Sequence, residues 1–349
     1  MSKTMLGAVL HGAKDLRVES CPVPELACGE VLIRVQRAGI CGSDLHYHRH
    51  GYCGGFVPTR PFILGHELVG EVAAVSDGIK EPTVGSRVVV NPARACGVCG
   101  YCRSGRGNLC PKTVMLGSAS TTPPTDGAFA HFVSVRADQC HPVPSQMDDS
   151  LAAMMEPLAV ALHAVKRAGT VSGKNVLVVG GGPIGLLVAM TARAYGAMPV
   201  VLSEPVAARR DQALAFGAEA VLDPASPGLR DQVRDLAGEG FEVLFEASGA
   251  PLALRLAFDL VRPGGTIVQI GTVGTADVGL PANQVMVREI QFIGSFRYGD
   301  VFGQAIRLAA SGRVNLQPLV SRVFRLAEIA EAMELAGAKD NVLKVQVQV

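Results

Sequence analysis

The chain has 349 residues, which is enough for two domains with separate hydrophobic cores. Its 32 basic and 31 acidic side chains leave a formal net charge of +1, so charge gives no reason to expect a nucleic-acid or membrane partner. The uncharged run at 176–190 is shorter than the roughly 18–20 residues of a membrane span. Residues 1–20 lack the apolar core of a secretory signal, so the expected compartment is the cytoplasm.

The first third of the chain is predicted to form short strands joined by long loops. Its β-rich runs, bounded by Gly, Pro or polar residues, lie at 31–35, 68–75 and 87–90. A helical stretch follows at 151–169, with Gly169 as the expected C-cap and Pro157 as the point of a break or kink. The N-terminal region is therefore expected to be a β-rich domain with long functional loops.

Residues of metal-ligand type occur at separated points of this region: Cys41, His66, Glu67 and Glu156. Thiol, imidazole and carboxylate are the ligands of zinc sites that keep one position open for a substrate. Taken singly, each has a structural alternative, since a buried cysteine is usually inert and Glu67 is also a plausible salt-bridge partner. These residues occur in one chain with a four-cysteine segment and a glycine-rich dinucleotide-binding motif, both described below. That combination favours a catalytic metal site.

Four cysteines follow one another with the spacing C-x2-C-x2-C-x7-C: Cys96, Cys99, Cys102 and Cys110. Four thiolates wrap one tetrahedral ion and leave no position open, which is typical of structural zinc. The alternative is a pair of disulfides, which the absence of a secretory signal and the odd total of nine cysteines disfavour. The segment is therefore predicted to be a loop ordered by zinc.

From residue 174 the chain alternates apolar strand segments with amphipathic helices. This alternation is typical of an α/β unit built on a doubly wound parallel sheet. The alternating segment 342–349 is predicted to be a strand that pairs back with the N-terminal β region. The predicted layout is an α/β protein with a β-rich domain of 1–155 plus 297–349, interrupted by a dinucleotide-binding domain of 156–296.

A glycine-rich turn, G-x-G-x-x-G, stands between a predicted strand and a predicted helix: Gly180, Gly182 and Gly185. Pro183 and Ile184 lie inside it, and a proline is harmless in the first turn of a helix because its missing N–H would be unpaired anyway. Glycines at these points let backbone N–H groups approach a pyrophosphate at the helix N-terminus. A glycine-rich turn of another α/β protein is the alternative, which the strand and helix on either side disfavour.

Glu204 ends the next strand, 19 residues after Gly185. A carboxylate at this point accepts hydrogen bonds from the adenosine ribose hydroxyls and repels a 2′-phosphate, which favours NAD over NADP. Arg209 and Arg210 follow closely and leave NADP open as the alternative cofactor.

Several of these motifs together resemble the zinc-dependent medium-chain dehydrogenases, and the resemblance covers nearly the whole chain. They are GICGSDLHY at 39–47, GHE at 65–67, the four-cysteine segment, EPLAVALHA at 156–164 and GSFRY at 294–298. Glu156 stands where the alcohol dehydrogenases have a cysteine ligand, as in the polyol branch of sorbitol and xylitol dehydrogenases. Within that branch the motifs are most similar to those of L-idonate 5-dehydrogenases. The resemblance implies a GroES-like catalytic domain with both zinc sites and a Rossmann domain.

The resemblance also implies one catalytic and one structural zinc ion per subunit. The catalytic ion would be held by Cys41, His66 and a carboxylate, and both Glu67 and Glu156 are near the metal in this family. Which of the two binds depends on the state of the enzyme, so both remain candidates.

Other roles are carried over in the same way. Ser43 and His46 match the family's proton relay, although His46 has an alternative as a solvated loop histidine because the basic residues 48–50 follow it. Residues matching positions around the substrate are Tyr47, Arg297 and Tyr298. Arg297 is the better candidate for a substrate carboxylate, because a guanidinium binds a carboxylate through two hydrogen bonds.

The implied reaction is hydride transfer from a secondary alcohol of a polyol or sugar acid to NAD(P), with L-idonate as substrate and 5-keto-D-gluconate as product. Sorbitol, xylitol and L-threonine dehydrogenases are the alternatives within this architecture. A catalytically silent zinc-binding protein related to the reductases is the alternative outside it. A homotetramer is the implied assembly.

Overall fold

In the computed structural model the chain folds as a first unit that is interrupted by the insertion of a second. The structure describes residues 3–274, 277–338 and 342–349. The first unit comprises Met1–Glu156, Phe302–Ala310 and Leu316–Val349, and the second comprises Pro157–Val301 and Ser311–Asn315.

The predicted domain ranges differ from this division at three points. Residue 156 belongs to the first unit, and residues 297–301 and 311–315 belong to the second. The segment 297–301 is held within the second unit, where the backbone N–H of Gly299 donates to Nδ1 of His163 at 3.3 Å.

Helices and strands are numbered in chain order. The strands are β1 (Thr4–Gly12), β2 (Asp15–Pro22), β3 (Glu30–Gly39), β4 (Phe62–Ile63), β5 (Glu67–Val75), β6 (Arg87–Val90), β7 (Ala93–Arg94), β8 (Val114–Met115), β9 (Phe132–Arg136), β10 (Cys140–Pro142), β11 (Val176–Val179), β12 (Val200–Ser203), β13 (Ala220–Leu222), β14 (Phe241–Glu246), β15 (Val261–Gln269), β16 (Gln291–Gly294), β17 (Val320–Arg325) and β18 (Lys344–Gln348). The α-helices are α1 (Gly42–His50), α2 (Gly100–Arg103), α3 (Asp149–Ala152), α4 (Met155–Arg167), α5 (Pro183–Ala194), α6 (Ala207–Ala215), α7 (Leu229–Ala237), α8 (Pro251–Leu260), α9 (Ala282–Val287), α10 (Phe302–Ala310) and α11 (Ile329–Ala336).

The largest sheet of the first unit runs β10-β6-β5-β3-β18-β17, and β9 also pairs with β3. Alternate residues of β3, Val31, Ile33 and Val35, point into the core and are fully or almost fully buried, as expected for a sheet with one covered face. The late strand β18 pairs antiparallel with β3, bringing Gln346 opposite Gly39. The predicted return of the last strand to the N-terminal β region is therefore confirmed.

The second unit is built on a six-stranded parallel sheet in the order β13-β12-β11-β14-β15-β16. The chain fills one half of this sheet with β11 to β13 and then returns to fill the other half with β14 to β16. The order reverses between β11 and β14, which is the point where doubly wound sheets bind ligands at their carboxyl ends. The predicted doubly wound parallel sheet is confirmed.

The predicted helix at 151–169 is two helices, α3 and α4. The break lies between them, before Pro157, which falls in the first turn of α4. A proline is tolerated there because the backbone N–H groups of the first turn have no partner within the helix. Among the described residues, no helix is both long and apolar enough to cross a bilayer.

Gly65, which lies just before β5, packs backbone against backbone with two glycines from a later segment, Gly117 and Gly127. A Cβ atom on Gly127 would collide with the carbonyl oxygens of Leu64 and Gly65, and one on Gly117 would meet the backbone of Gly65. Gly65 itself has a φ of +93°, which a side chain rarely adopts. This close approach fixes the backbone on which the next residue, His66, is mounted.

Gly127→Ala is expected to lower the free energy of unfolding by about 1–3 kcal/mol, because the new methyl group has no space that backbone atoms do not fill. Gly12→Ala is the matched control, since a Cβ there meets nothing within 4 Å and should change stability by at most about 0.5 kcal/mol. Denaturant titration of the two variants measures the difference. Equal stability would show that the three glycines are not closely packed.

Candidate active site

The carboxylate of Asp44 joins the two segments that carry the predicted metal ligands. Cys41 is the N-cap of α1, and its backbone N–H donates to Asp44 Oδ2 at 2.8 Å. The other oxygen, Oδ1, accepts from Gly65 N at 3.2 Å and lies 3.7 Å from Nδ1 of His66. Asp44 is fully buried. Sequence reasoning missed this residue, although an acidic residue three positions after a helix N-cap is a recognisable capping signal.

Three of the four predicted ligands of the open site come together in the first unit. The ligand atoms of Cys41, His66 and Glu67 all lie within 4.8 Å of one another, and His66 and Glu67 are buried. Zinc bonds of about 2.0–2.3 Å place tetrahedral ligand atoms about 3.3–3.8 Å apart, so a small contraction closes the cluster on an ion. The donor set therefore fits a zinc ion that keeps one position open.

Buried negative charge dominates the field around this cluster. Burial disfavours a charge on His66, but the carboxylate of Asp44 and the thiol of Cys41 outweigh it and raise the pKa of His66 well above its usual value. Burial, and then repulsion by Glu67, raise the pKa of Glu156 to about 7, against the attraction of His66. Several buried acidic groups this close together are stabilised by a nearby positive charge, which a bound divalent ion would supply.

Lys344, which sequence reasoning also missed, already supplies one positive charge. Its Nζ donates to Oε1 and Oε2 of Glu67 at 2.7 and 2.8 Å and to the carbonyl of Ile40 at 3.1 Å. Both partners of the ion pair are buried. Gly39 makes room for it, since a Cβ there would collide with the Glu67 carboxylate. Lys344 thus holds Glu67 beside Cys41 and His66.

Glu156, the second predicted carboxylate ligand, is buried in the first turn of α4 but lies outside the three-ligand cluster. Its charge interacts with His66, Glu67 and Lys344. The arrangement seen here therefore groups Glu67, and not Glu156, with Cys41 and His66.

Ser43 and His46, the predicted proton relay, stand three residues apart in α1, on one side of the helix. Ser43 is half-buried and His46 is exposed. Partial burial and the nearby His50 and Arg49 lower the pKa of His46, which favours its neutral, proton-accepting form. The relay itself stays a prediction.

Tyr47, which was expected beside the substrate, is buried in the core of the first unit. Its hydroxyl accepts from Ala119 N at 2.9 Å, and its ring packs edge-on against Phe62. This placement favours a structural role in which Tyr47 anchors the loop that contains Ala119. Residue type and motif position did not distinguish the two roles, because the partner N–H is distant in sequence.

Arg297 and Tyr298, the other two predicted substrate residues, belong to the second unit. Arg297 has a φ of +52°, which is uncommon for a residue with a side chain and is shared in this chain by Lys14 and Glu289. Its guanidinium lies 4.8 Å from the centre of the Phe296 ring. Tyr298 is buried. Their contacts with a substrate stay predictions.

The four-cysteine loop has the dimensions of a tetrahedral zinc site. The sulfur of Cys102 lies 3.4 Å from that of Cys99 and 3.9 Å from that of Cys96. Four sulfurs at about 2.3 Å from one ion are about 3.8 Å apart. Backbone N–H groups of Cys96 and Lys112 both donate to the sulfur of Cys110 and lower the pKa of its thiol to about 6. Cys110 is thereby prepared to bind as thiolate, whereas burial and the neighbouring thiol of Cys99 raise the pKa of Cys102 to about 11.

The glycine-rich turn adopts the geometry that a pyrophosphate requires. Gly182 is the N-cap of α5 and Pro183 its first residue, and no side chain caps the free N–H groups of the first turn. Gly180 has a φ of +107°, and a Cβ on Gly185 would collide with the carbonyl of Gly180. Ile184 follows Pro183 in the same turn of helix. The helix N-terminus is therefore open to an anion.

Glu204 lies beside this turn and is buried. Its Oε2 accepts from Gly181 N at 2.7 Å and its Oε1 from Val206 N at 3.0 Å. The predicted ribose-binding carboxylate thus also fixes the glycine-rich turn. Of the two nearby arginines, Arg210 donates to the carbonyl of Glu204, whereas the buried Nε–H of Arg209 donates to no partner among the described residues.

A second carboxylate at the same edge of the sheet was not predicted. Glu246 ends β14, beside the point where the strand order reverses, and is fully buried. Its side chain accepts from Ser248 N at 2.8 Å, Gly249 N at 3.0 Å and Gln269 Nε2 at 2.7 Å. Glu246 therefore ties together the loops after β14 and β15, which frame the expected dinucleotide crevice.

Comparison with known proteins matches residues 27–145 to the alcohol dehydrogenase GroES-like domain and residues 183–311 to the zinc-binding dehydrogenase domain. Sorbitol dehydrogenase of Bacillus subtilis is 35% identical over 347 residues, which are 99% of this chain and 97% of the relative. This chain belongs to the zinc-dependent medium-chain dehydrogenases. Probable D-xylulose reductase A of Aspergillus clavatus is 37% identical over 337 residues, 94% of this chain and 92% of that protein.

Among solved structures, L-idonate 5-dehydrogenase from Escherichia coli superposes with a TM-score of 0.93 at 34% identity, over 100% of this chain and 99% of that one. Membership of the family confirms the predicted GroES-like and Rossmann folds and the expected zinc and nicotinamide cofactors. It also confirms an oxidoreductase that acts on CH–OH groups of polyols or sugars.

Lys344→Met is expected to destabilise the metal-free protein by about 3–5 kcal/mol, because Glu67 is left as an unpaired buried charge. The double variant Lys344→Met/Glu67→Leu should recover most of that loss, since both charges are then gone. Denaturant titration measures the cycle, and Arg325→Met, which breaks an exposed pair with Glu328, is the control at about 0–1 kcal/mol. A loss no larger than the control would refute the importance of the buried pair.

Glu204→Ala is expected to raise the Kd for NADH about tenfold, which is about 1.4 kcal/mol, because a ribose acceptor and the support of Gly181 are both lost. Glu204→Gln keeps one oxygen for Gly181, so its Kd for NADH should lie between those of the wild type and Glu204→Ala. NADH fluorescence titration measures the Kd, with the exposed Glu239→Ala of the same unit as the control. An unchanged Kd in Glu204→Ala would exclude the ribose contact.

Proposed function

We propose that this chain is an L-idonate 5-dehydrogenase, which oxidises L-idonate to 5-keto-D-gluconate with NAD. The observation that carries the proposal is the full-length likeness to the Escherichia coli L-idonate 5-dehydrogenase, with a TM-score of 0.93. The motifs GICGSDLHY, EPLAVALHA and GSFRY support the same branch of the family.

The candidate site residues of the first unit each have a part in the proposed reaction. Cys41, His66 and Glu67 would hold the zinc ion, and Glu156 is the alternative carboxylate ligand. Zinc in such a site supplies Lewis-acid catalysis, which makes a substrate hydroxyl more acidic. Ser43 takes the released proton at Oγ and His46 passes it from its ring nitrogen to solvent.

The second unit binds the hydride acceptor. The glycine-rich turn and the N-terminus of α5 hold the pyrophosphate, with Gly180, Gly182 and Gly185 allowing its close approach. Nicotinamide supplies the hydride acceptor when the dinucleotide is bound. Glu204 supports NAD over NADP, whereas the unpartnered Nε of Arg209 is the feature that would serve a 2′-phosphate.

Arg297 is proposed to bind the substrate carboxylate. A guanidinium pairs with a carboxylate through two parallel hydrogen bonds. Sorbitol and xylitol lack a carboxylate, so this residue separates the proposed substrate from them.

Sorbitol or xylitol oxidation is the second candidate function, supported by the likeness to a sorbitol dehydrogenase and a probable D-xylulose reductase at 35–37% identity. L-Threonine oxidation is a further alternative within the family. A silent zinc-binding protein is disfavoured by the assembled Cys41, His66 and Glu67 cluster. We further propose a cytoplasmic homotetramer, which light scattering of the purified protein tests.

The deciding experiment is a steady-state panel of L-idonate, sorbitol, xylitol and L-threonine with NAD and with NADP. We expect the highest kcat/KM for L-idonate with NAD. Arg297→Met should lower kcat/KM for L-idonate about 10- to 100-fold and change that for sorbitol far less, because only L-idonate loses a charged hydrogen bond.

Sorbitol or L-threonine outperforming L-idonate in the panel would refute the proposed substrate, and equal losses for both substrates in Arg297→Met would refute the proposed role of Arg297. Cys41→Ala is the control for the metal chemistry. It should abolish oxidation of every alcohol while leaving the zinc of the four-cysteine loop in place.

A further inference from the structure

Two histidines form a pair on the exposed side of α1. His46 and His50 are four residues apart, so their side chains project from the same face of the helix. Both are exposed, and their ring centres are 5.7 Å apart with the planes inclined at 43°. The pair is distinct from the buried cluster of Cys41, His66 and Glu67.

The separation of the two rings suits one shared metal ion. A zinc–nitrogen bond is about 2.0–2.1 Å, and the ring centre lies about 1 Å beyond the nitrogen, so two imidazoles on one ion have centres about 5 Å apart at a tetrahedral angle and at most about 6 Å apart on opposite sides of the ion. The observed 5.7 Å falls within this limit. Two histidines at positions i and i+4 of a helix are also the pair that zinc metalloproteases use.

The other basic side chains of the same segment point elsewhere. Arg49 donates to the carbonyl of Gly337, just after α11, at 3.0 Å. His48 is half-buried and interacts with Glu334 of α11 and with Lys14. Neither side chain competes for an ion held by His46 and His50, and His48 provides a matched control on the same helix.

We propose that His46 and His50 form a further metal site, which takes a borderline divalent ion such as Zn2+ from solution and inhibits the enzyme when it is filled. Imidazole nitrogen is a preferred ligand of such ions. With two protein ligands and water in the remaining positions, the site is weaker than the two described above, and its filling is reversible.

Inhibition follows from the lone pair of His46. An imidazole nitrogen that is bonded to a metal ion accepts no proton, so a filled site interrupts proton transfer from Ser43 to solvent. This inhibitory role rests on the proposed relay, whereas binding of the ion depends only on the two histidines.

The test uses the holoenzyme, with one zinc ion in each of the two clusters, dialysed against a series of buffered Zn2+ concentrations. We expect one additional equivalent of zinc per subunit in the wild type and in His48→Ala. His50→Ala should weaken its binding at least about tenfold, since a direct ligand is lost. Alcohol oxidation should fall over the same Zn2+ range in the wild type and His48→Ala, and persist in His50→Ala.

The proposed site would be refuted if the wild type bound no additional equivalent of zinc, or if His48→Ala and His50→Ala weakened zinc binding equally. If His50→Ala weakened binding of the additional zinc, but that zinc did not lower the activity of the wild type, only the inhibitory role would be refuted. If the holoenzyme oxidises no alcohol, dialysis still decides whether the site exists, and the inhibitory role fails together with the proposed function.

Discussion

The ion pair between Lys344 and Glu67 is the interaction on which the metal-binding part of the fold depends. The two residues are 277 positions apart in the chain, and both are buried. Either charge alone in that place would cost several kcal/mol, so neither is accommodated without the other. The pairing of β18 with β3 and the position of Glu67 beside Cys41 and His66 consequently depend on each other. The same contact contributes to the strand pairing, to the buried core and to the geometry of the metal ligands.

Even with Lys344 in place, acidic groups outnumber basic ones around the cluster. Among the described residues of the cluster, the acidic groups of Asp44, Glu67, Glu156 and Cys41 face the basic groups of Lys344 and His66, and the raised pKa values of His66 and Glu156 reflect this excess. A divalent ion removes the excess, so metal binding and stability of the first unit are thermodynamically linked. The four-cysteine loop follows a different principle, in which backbone N–H groups favour the thiolate forms of Cys96 and Cys110 before any ion arrives.

Much of this architecture was predictable because its signals are local. Apolar runs of four to six residues predict the strands of the parallel sheet, and glycine or cysteine spacing predicts the turn and the metal loop. Lys344 and Glu246 escaped prediction, and Tyr47 was predicted as a substrate contact instead of a core residue, because their roles depend on partners that only the folded chain brings near. A buried lysine in an alternating strand looks like an ordinary solvent-facing residue. Likewise, a tyrosine beside a catalytic motif looks like a substrate contact until its hydroxyl is seen to be engaged.

The 277-residue separation of Glu67 and Lys344 also sets an order of events during synthesis. Ribosomes add about 5–20 residues per second, so Glu67 leaves the ribosome on the order of tens of seconds before its counter-ion exists. The four cysteines and the whole second unit emerge within that interval and are free to fold or bind zinc first. The ion pair that holds Glu67 is therefore completed only after Lys344 has been added, and a nascent chain that stalls before residue 344 would lack this support of the reactive site.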